Sequence, residues 1–286
     1  MQKSLLTLLL LTLFSGIIFA QQLEMSESEL MNKLDSILQE GNLLYKYEKA
    51  TWVATDLAYE NPIVKAEVKD YLTYEEQGEI RTIILGENLQ TCIAEYTFEI
   101  DLDNPTSAKI EKRELFDKEK TLVDVRKKIL NNINDSKYGV VIPPVGYGLN
   151  YILLPFAGKY KLYIITGTTI PNIVPFGNDY IFIANENGEI ESWQKFHSIL
   201  IPSYTIVGGN NTRRNNSRRN NAINSNIKGL VHTHLPMTPL ITATDICTFM
   251  LYAPFYDNLE TLTVVSHFGI MRYSLKENKI TVEYFR

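Results

Sequence analysis

Two imidazoles and a carboxylate stand close together near the end of this 286-residue chain: Val231-His232-Thr233-His234, then seven residues, then Thr242-Ala243-Thr244-Asp245. A strand over 228–234 would turn His232 and His234 to one face, because side chains alternate along a strand with a period of two. The run Ala243–Tyr252 reads as a helix, which puts Asp245 in its first turn and able to face back toward the strand. Two His and one Asp supply three protein ligands to one metal ion and leave the fourth tetrahedral position for water, as catalytic zinc sites do. The same residues admit a plainer reading. Thr242-x-x-Asp245 ahead of an apolar helix is also a capping box variant, and His at i, i+2 can be ordinary strand residues. All four His of the chain, His197, His232, His234 and His267, fall in its last third.

At these positions the chain resembles the JAMM (MPN) family of zinc-dependent isopeptidases and deubiquitinases, whose motif is H-x-H, seven residues, then Ser-x-x-Asp, with a Glu upstream. His232, His234, Thr242 and Asp245 carry the match, and Phe196-His197-Ser198-Ile199-Leu200-Ile201-Pro202 looks like the apolar strand ending in Ile-Pro that some members place before their H-x-H strand. Leu235 intervenes before Pro236 where the family has Pro directly, and Thr242 stands for the usual Ser and keeps its hydroxyl. The family's general base is a Glu at the start of a strand ahead of the Ile-Pro strand; the nearest residue here is Asp179, one methylene shorter. The resemblance implies that His232, His234 and Asp245 hold Zn2+, that Thr242 helps stabilise an oxyanion, and that Asp179, or else Glu189 or Glu191, relays the proton. It implies a peptidase or isopeptidase acting on a peptide or protein substrate through metal-activated water. The alternative it leaves is a JAMM-like fold without catalysis that serves as a binding or assembly module.

The elements that must position these residues point to an α+β fold, an N-terminal helix and antiparallel-sheet domain over 21–137 followed by a β-rich, JAMM-like α/β domain over 138–286. Ser26-Glu27-Ser28-Glu29 is a capping box that opens a helix with Leu30, Met31, Leu34, Ile37 and Leu38 on one face, and Gly41 is its expected stop. A second helical or aromatic stretch runs from Leu43 to Tyr59. Strand-like runs follow at 70–74, 80–85, 92–102 and 109–115, then an amphipathic helix from about Asp117 to Ile133. After an Asn/Asp/Ser-rich stretch near 131–138 the pattern turns to strands at 151–154, 161–166, 179–184 and 190–197, with Asn185-Glu186-Asn187-Gly188 as a hairpin turn. Short strands at 261–266, 269–274 and 279–284 close the chain.

Met1-Gln2-Lys3, an apolar run through Phe14 and the exit Ser15–Ala20 have the layout of a secretory signal peptide over residues 1–20, which predicts a periplasmic or extracellular protein. No other segment approaches the length of a membrane span. The formal charge of −5 becomes −6 when Lys3 leaves with the signal (−5 minus +1), a mild acidity that gives no reason to expect nucleic acid. Two cysteines, Cys92 and Cys247, exclude a disulfide-built scaffold; their pairing is open, and Cys247 inside an apolar helix reads as a buried small hydrophobe. Residues 208–221 carry Gly, Asn, Thr, Ser and four Arg with no apolar anchor, and read as a mobile connector.

Overall fold

Ser26 and Glu29 form the expected cap: the Ser26 N–H and hydroxyl both donate to the Glu29 carboxylate, and Ser26 Oγ accepts from the Glu29 N–H. The computed structural model describes residues 25–133, 136–138, 141–205 and 227–285. The expected signal peptide, residues 1–20, and the expected connector, residues 208–221, lie outside these. Helix α1 (Glu27–Glu60) does not stop at Gly41. A Cβ at Gly41 would lie 2.8 Å from Ile246 Cβ, so this glycine makes room for a second helix pressed against the first and is not a terminator. Residues 1–36 and 37–286 form separate units, and everything that follows belongs to the second.

Helix α2 (Pro62–Glu67), capped by the Asn61 side chain, leads into an antiparallel sheet of β1 (Asp70–Glu76), β2 (Glu79–Leu85), β3 (Thr91–Phe98), β4 (Ser107–Lys109) and β5 (Arg113–Glu114). The expected strand 92–102 ends at Phe98, and 109–115 divides into β4 and β5, which both pair with β3. Helix α3 (Asp117–Asn132) follows the prediction closely and buries Leu122, Val125 and Ile129. Strands β6 (Gly148–Phe156), β7 (Lys159–Gly167), β9 (Tyr180–Ala184) and β10 (Ile190–Lys195) make a second antiparallel sheet in the order β10-β9-β7-β6. One apolar cluster joins Leu72, Ile83 and Leu85 of the first sheet, Leu122 and Ile129 of α3, and Leu153, Leu162 and Phe182 of the second, on both sides of residue 138.

Two strands flank this sheet in the chain and pair only with each other: β8 (Ile173–Gly177) and β11 (Leu200–Tyr204). The last sheet is β12 (Gly229–Thr233), parallel to β13 (Thr261–Ser266), followed by the antiparallel β14 (Gly269–Ser274) and β15 (Lys279–Glu283). Helix α4 (Ala243–Tyr252) bridges β12 and β13, as a parallel pair requires, and buries Ile246, Cys247 and Phe249. Cys247 is a fully buried free thiol, and so is Cys92 at 1 % exposure. Four α-helices and several sheets, antiparallel apart from the β12–β13 pair, make the described chain α+β. Among the described residues no helix is long and apolar enough to cross a membrane.

Candidate metal centre

Strand β8 continues into β9, and β10 into β11, through two short links that face each other. Asn178 and Asp179 make the first link, residues 196–199 the second, and they are tied by Phe196 N–H to Asp179 O (3.1 Å) and Asn178 N–H to Ile199 O (3.1 Å). The close approach depends on Gly177. Its φ of +81° is open to glycine at little cost, and a Cβ there would lie 2.3 Å from Ile199 O and 3.1 Å from His197 Cβ. The crossing therefore sets Asp179 and His197 side by side, both buried. His232 comes from β12, where it pairs with Val264 and packs its ring against Phe176 (centroids 4.9 Å apart). His234 follows one residue past the strand end, its N–H donating to Val265 O at 2.9 Å.

These side chains converge. His197, His232, His234 and Asp245 form a buried group whose ligand atoms all lie within 4.8 Å of one another, a group able to hold a metal ion. His197 Nε2 is 2.8 Å from His234 Nε2, which is 3.0 Å from His232 Nε2. Asp245 Oδ1 lies 3.2 Å from His232 Nε2 and 3.4 Å from His197 Nε2, and Asp245 Oδ2 lies 3.3 Å from His234 Nε2. A tetrahedral ion with ligands at about 2.0–2.1 Å separates them by about 3.3 Å, and these five separations, two through Asp245 Oδ1 and one through Oδ2, lie near that length.

The outer atoms favour positive charge in the middle. His197 Nδ1 faces Asp179 Oδ1 at 2.7 Å and His234 Nδ1 faces the Leu240 carbonyl at 2.8 Å; both acceptors require N–H on the Nδ1 side. In the neutral rings both Nε2 atoms then present lone pairs to each other, an arrangement a proton or a metal ion between them relieves. Asp245 divides its carboxylate. Oδ2 accepts from the Thr242 N–H (2.9 Å) and hydroxyl (2.8 Å), while the buried Oδ1 faces, among the described residues, only the Nε2 atoms of His232 and His197. The capping reading of Thr242-x-x-Asp245 thus holds, and it leaves Oδ1 available to a ligand. Burial works hardest against the Asp245 charge, but the three imidazoles outweigh it and hold the carboxyl well below its ordinary range. Burial likewise pulls His197 down, and the Asp179 and Asp245 carboxylates overcome it, raising the imidazole to about 9.

Of the residues singled out from sequence, His232, His234 and Asp245 come together directly. Asp179 is at the centre but stands behind His197: Oδ1 takes the imidazole N–H and Oδ2 takes the Thr244 hydroxyl. The Thr242 hydroxyl bonds within the helix start, to Asp245 and to Thr244 Oγ1 at 2.9 Å. A chain of two hydroxyls therefore links the two carboxylates. Glu189 and Glu191 lie toward the far turn of the β9–β10 hairpin, where Glu189 accepts from Asn185 (2.8 Å) and Glu191 from Lys159 (2.5 Å). His267 is exposed beside Phe268, outside the group. In the sequence His197 reads only as part of a strand, and the restriction of all four His to the last third is the one hint that it belongs with the pair. Thr244 carried no signal.

No protein-family model, curated protein or solved structure matches the chain.

Proposed function

We propose that the chain is an exported zinc-dependent hydrolase of the peptidase or isopeptidase type, with His232, His234 and Asp245 holding the ion. The buried convergence of three imidazoles on the Asp245 carboxylate, whose Oδ1 faces only the Nε2 atoms of His232 and His197, carries the reading. Imidazole and carboxylate donors in a tetrahedron with no sulfur suit zinc. When bound, zinc supplies a Lewis acid and a water of lowered pKa. The protein's own residues divide the remaining work. Asp179 is a methylene short of the family's Glu, and His197 stands between it and the centre, extending the carboxylate's reach by one imidazole. Asp179 Oδ1 keeps the proton on His197 Nδ1, so Nε2 is the atom that takes up and returns a proton at the reacting side. Thr242 holds Asp245 in orientation through its N–H and hydroxyl, and Thr244 does the same for Asp179. The export reading rests on the N-terminal sequence, and the JAMM-like assignment on the H-x-H and Thr-x-x-Asp pattern.

One observation favours a second reading. His197 Nε2 occupies a tetrahedral edge position itself, and all four side chains are buried, as in a closed structural centre. The chain would then be a JAMM-like binding or assembly module stapled by its metal. His197→Ala separates the two. The hydrolase keeps about one zinc per chain and loses on the order of 10²–10⁴-fold in turnover of a peptide library; the closed centre loses its zinc, and its wild type cleaves nothing.

A further inference from the structure

Trp52, Tyr147, Tyr252, Phe255 and Tyr256 line a cavity of about 830 Å³ that the metal centre does not use. Helix α4 separates the two: Asp245 is in its first turn and Tyr252 is its last residue, about 10 Å farther along the axis at 1.5 Å per residue. The aromatic wall is built to be rigid. The Tyr252 hydroxyl accepts from the Thr168 N–H (2.7 Å) and donates to the Thr168 carbonyl (3.1 Å), and its ring stands edge-on to Trp52 with centroids 5.3 Å apart. The Trp52 indole N–H is taken by Glu48 Oε1 at 2.6 Å. With their polar atoms satisfied inside, these rings have only flat faces to offer. Phe255 is held out at the rim, 68 % exposed, by the turn around Pro254.

Against the wall stand two polar side chains, Asp56 and Asn150, neither with a hydrogen-bond partner among the described residues. Gly167 keeps the second in place: a Cβ there would lie 2.9 Å from Asn150 Nδ2. Among the described residues no Lys, Arg or His lines the cavity, and an anion would meet Asp56. A wholly apolar ligand would strip water from Asp56 and Asn150 without replacing it. An ammonium head satisfies Asp56 and the rings but cannot itself accept from the two N–H groups of the Asn150 amide. A neutral sugar ring satisfies all three, stacking its C–H face on an indole or phenol while neighbouring hydroxyls donate to the carboxylate and accept from the amide.

We propose that this cavity is a subsite for the hexose rings of a neutral oligosaccharide. In a Trp193→Phe background Trp52 is the sole indole, so its fluorescence reports the cavity directly, with calorimetry on the wild-type chain alongside. The probes are cellotetraose, chitotetraose and maltotetraose, with choline and inorganic phosphate for comparison. The expected result is saturable binding of at least one tetrasaccharide, weakened about tenfold or more in Asp56→Ala and in Asn150→Ala, both of which remove partly exposed side chains that support no other residue. Choline and phosphate are expected to leave the fluorescence unchanged. The proposal is overturned if the folded wild type binds none of the sugars, if choline binds in their place, or if both substitutions leave sugar affinity unchanged.

Discussion

Gly177→Ala is the sharpest single perturbation of the centre, since it touches no candidate ligand. Two costs add. An L-residue at φ +81° costs roughly 1–2 kcal/mol. The new Cβ would lie 2.3 Å from Ile199 O, against an ordinary C···O contact of about 3.3 Å, so the two links must part by roughly 1 Å. Overpacking of this kind adds about 1–3 kcal/mol, for a total of roughly 2–5 kcal/mol. His197 rides on the displaced link, so Gly177→Ala should cut turnover on the order of 10²–10⁴-fold with zinc retained if His197 is the base, or lower zinc affinity on the order of 10–100-fold if His197 is a ligand. Gly78→Ala is the matched control: its φ is +85° and a Cβ there meets nothing within 4 Å. Urea unfolding in chelator should show the larger loss for Gly177→Ala, and zinc competition against a chromophoric chelator should show Gly78→Ala unchanged. Wild-type zinc affinity together with wild-type turnover in a folded Gly177→Ala protein would refute the claim that this crossing sets His197 in place.

Asp179→Asn should keep the fold but weaken zinc binding about 10–100-fold if His197 is a ligand, or leave zinc bound and cut turnover on the order of 10²–10⁴-fold if His197 is the base; equal zinc affinity and equal turnover would remove Asp179 from the centre. Thr242→Val removes the hydroxyl from Asp245 Oδ2 and from the helix start, and should cost about 1–2 kcal/mol in chemical denaturation as well as weakening zinc, whereas a change confined to turnover would restore the oxyanion role expected from sequence. Glu48 is buried, with one oxygen bonded to Trp52 and the other unpartnered, and Cys247, Tyr71 and Tyr252 feel its charge. Burial raises its carboxyl to about 7 against the Trp52 bond, so the folded state holds this proton more tightly than the unfolded one. That contribution is fully present below about pH 4.5 and is lost as pH rises through about 7, a change of roughly 3 kcal/mol that Glu48→Gln should abolish in stability curves taken from pH 5 to 8.

What the sequence made legible was local. The H-x-H alternation placed His232 and His234 on one face of β12, the Thr242-x-x-Asp245 spacing located the start of α4, and the apolar period of 117–132 drew α3 almost to the residue. What it hid was set by pairings distant in the chain. His197 acquires its place only because β8 pairs with β11 while β9 pairs with β10, which makes two links cross at Gly177. Asp179 was located at the right strand, yet its relation to the centre depends on that same crossing. Gly41 looked like a helix stop because a glycine required by a neighbouring helix 200 residues later has the same local signature as a terminating one.

The central claim is that His197, His232, His234 and Asp245 surround one metal ion, and metal content tests it most directly. Wild-type protein purified without chelator, and chelator-stripped protein refilled with zinc, should each carry about one zinc per chain by elemental analysis; His232→Ala and Asp245→Ala should each lose most of it while keeping their secondary structure. A wild type that neither retains nor takes up metal, or one whose zinc survives in both variants, would contradict the account.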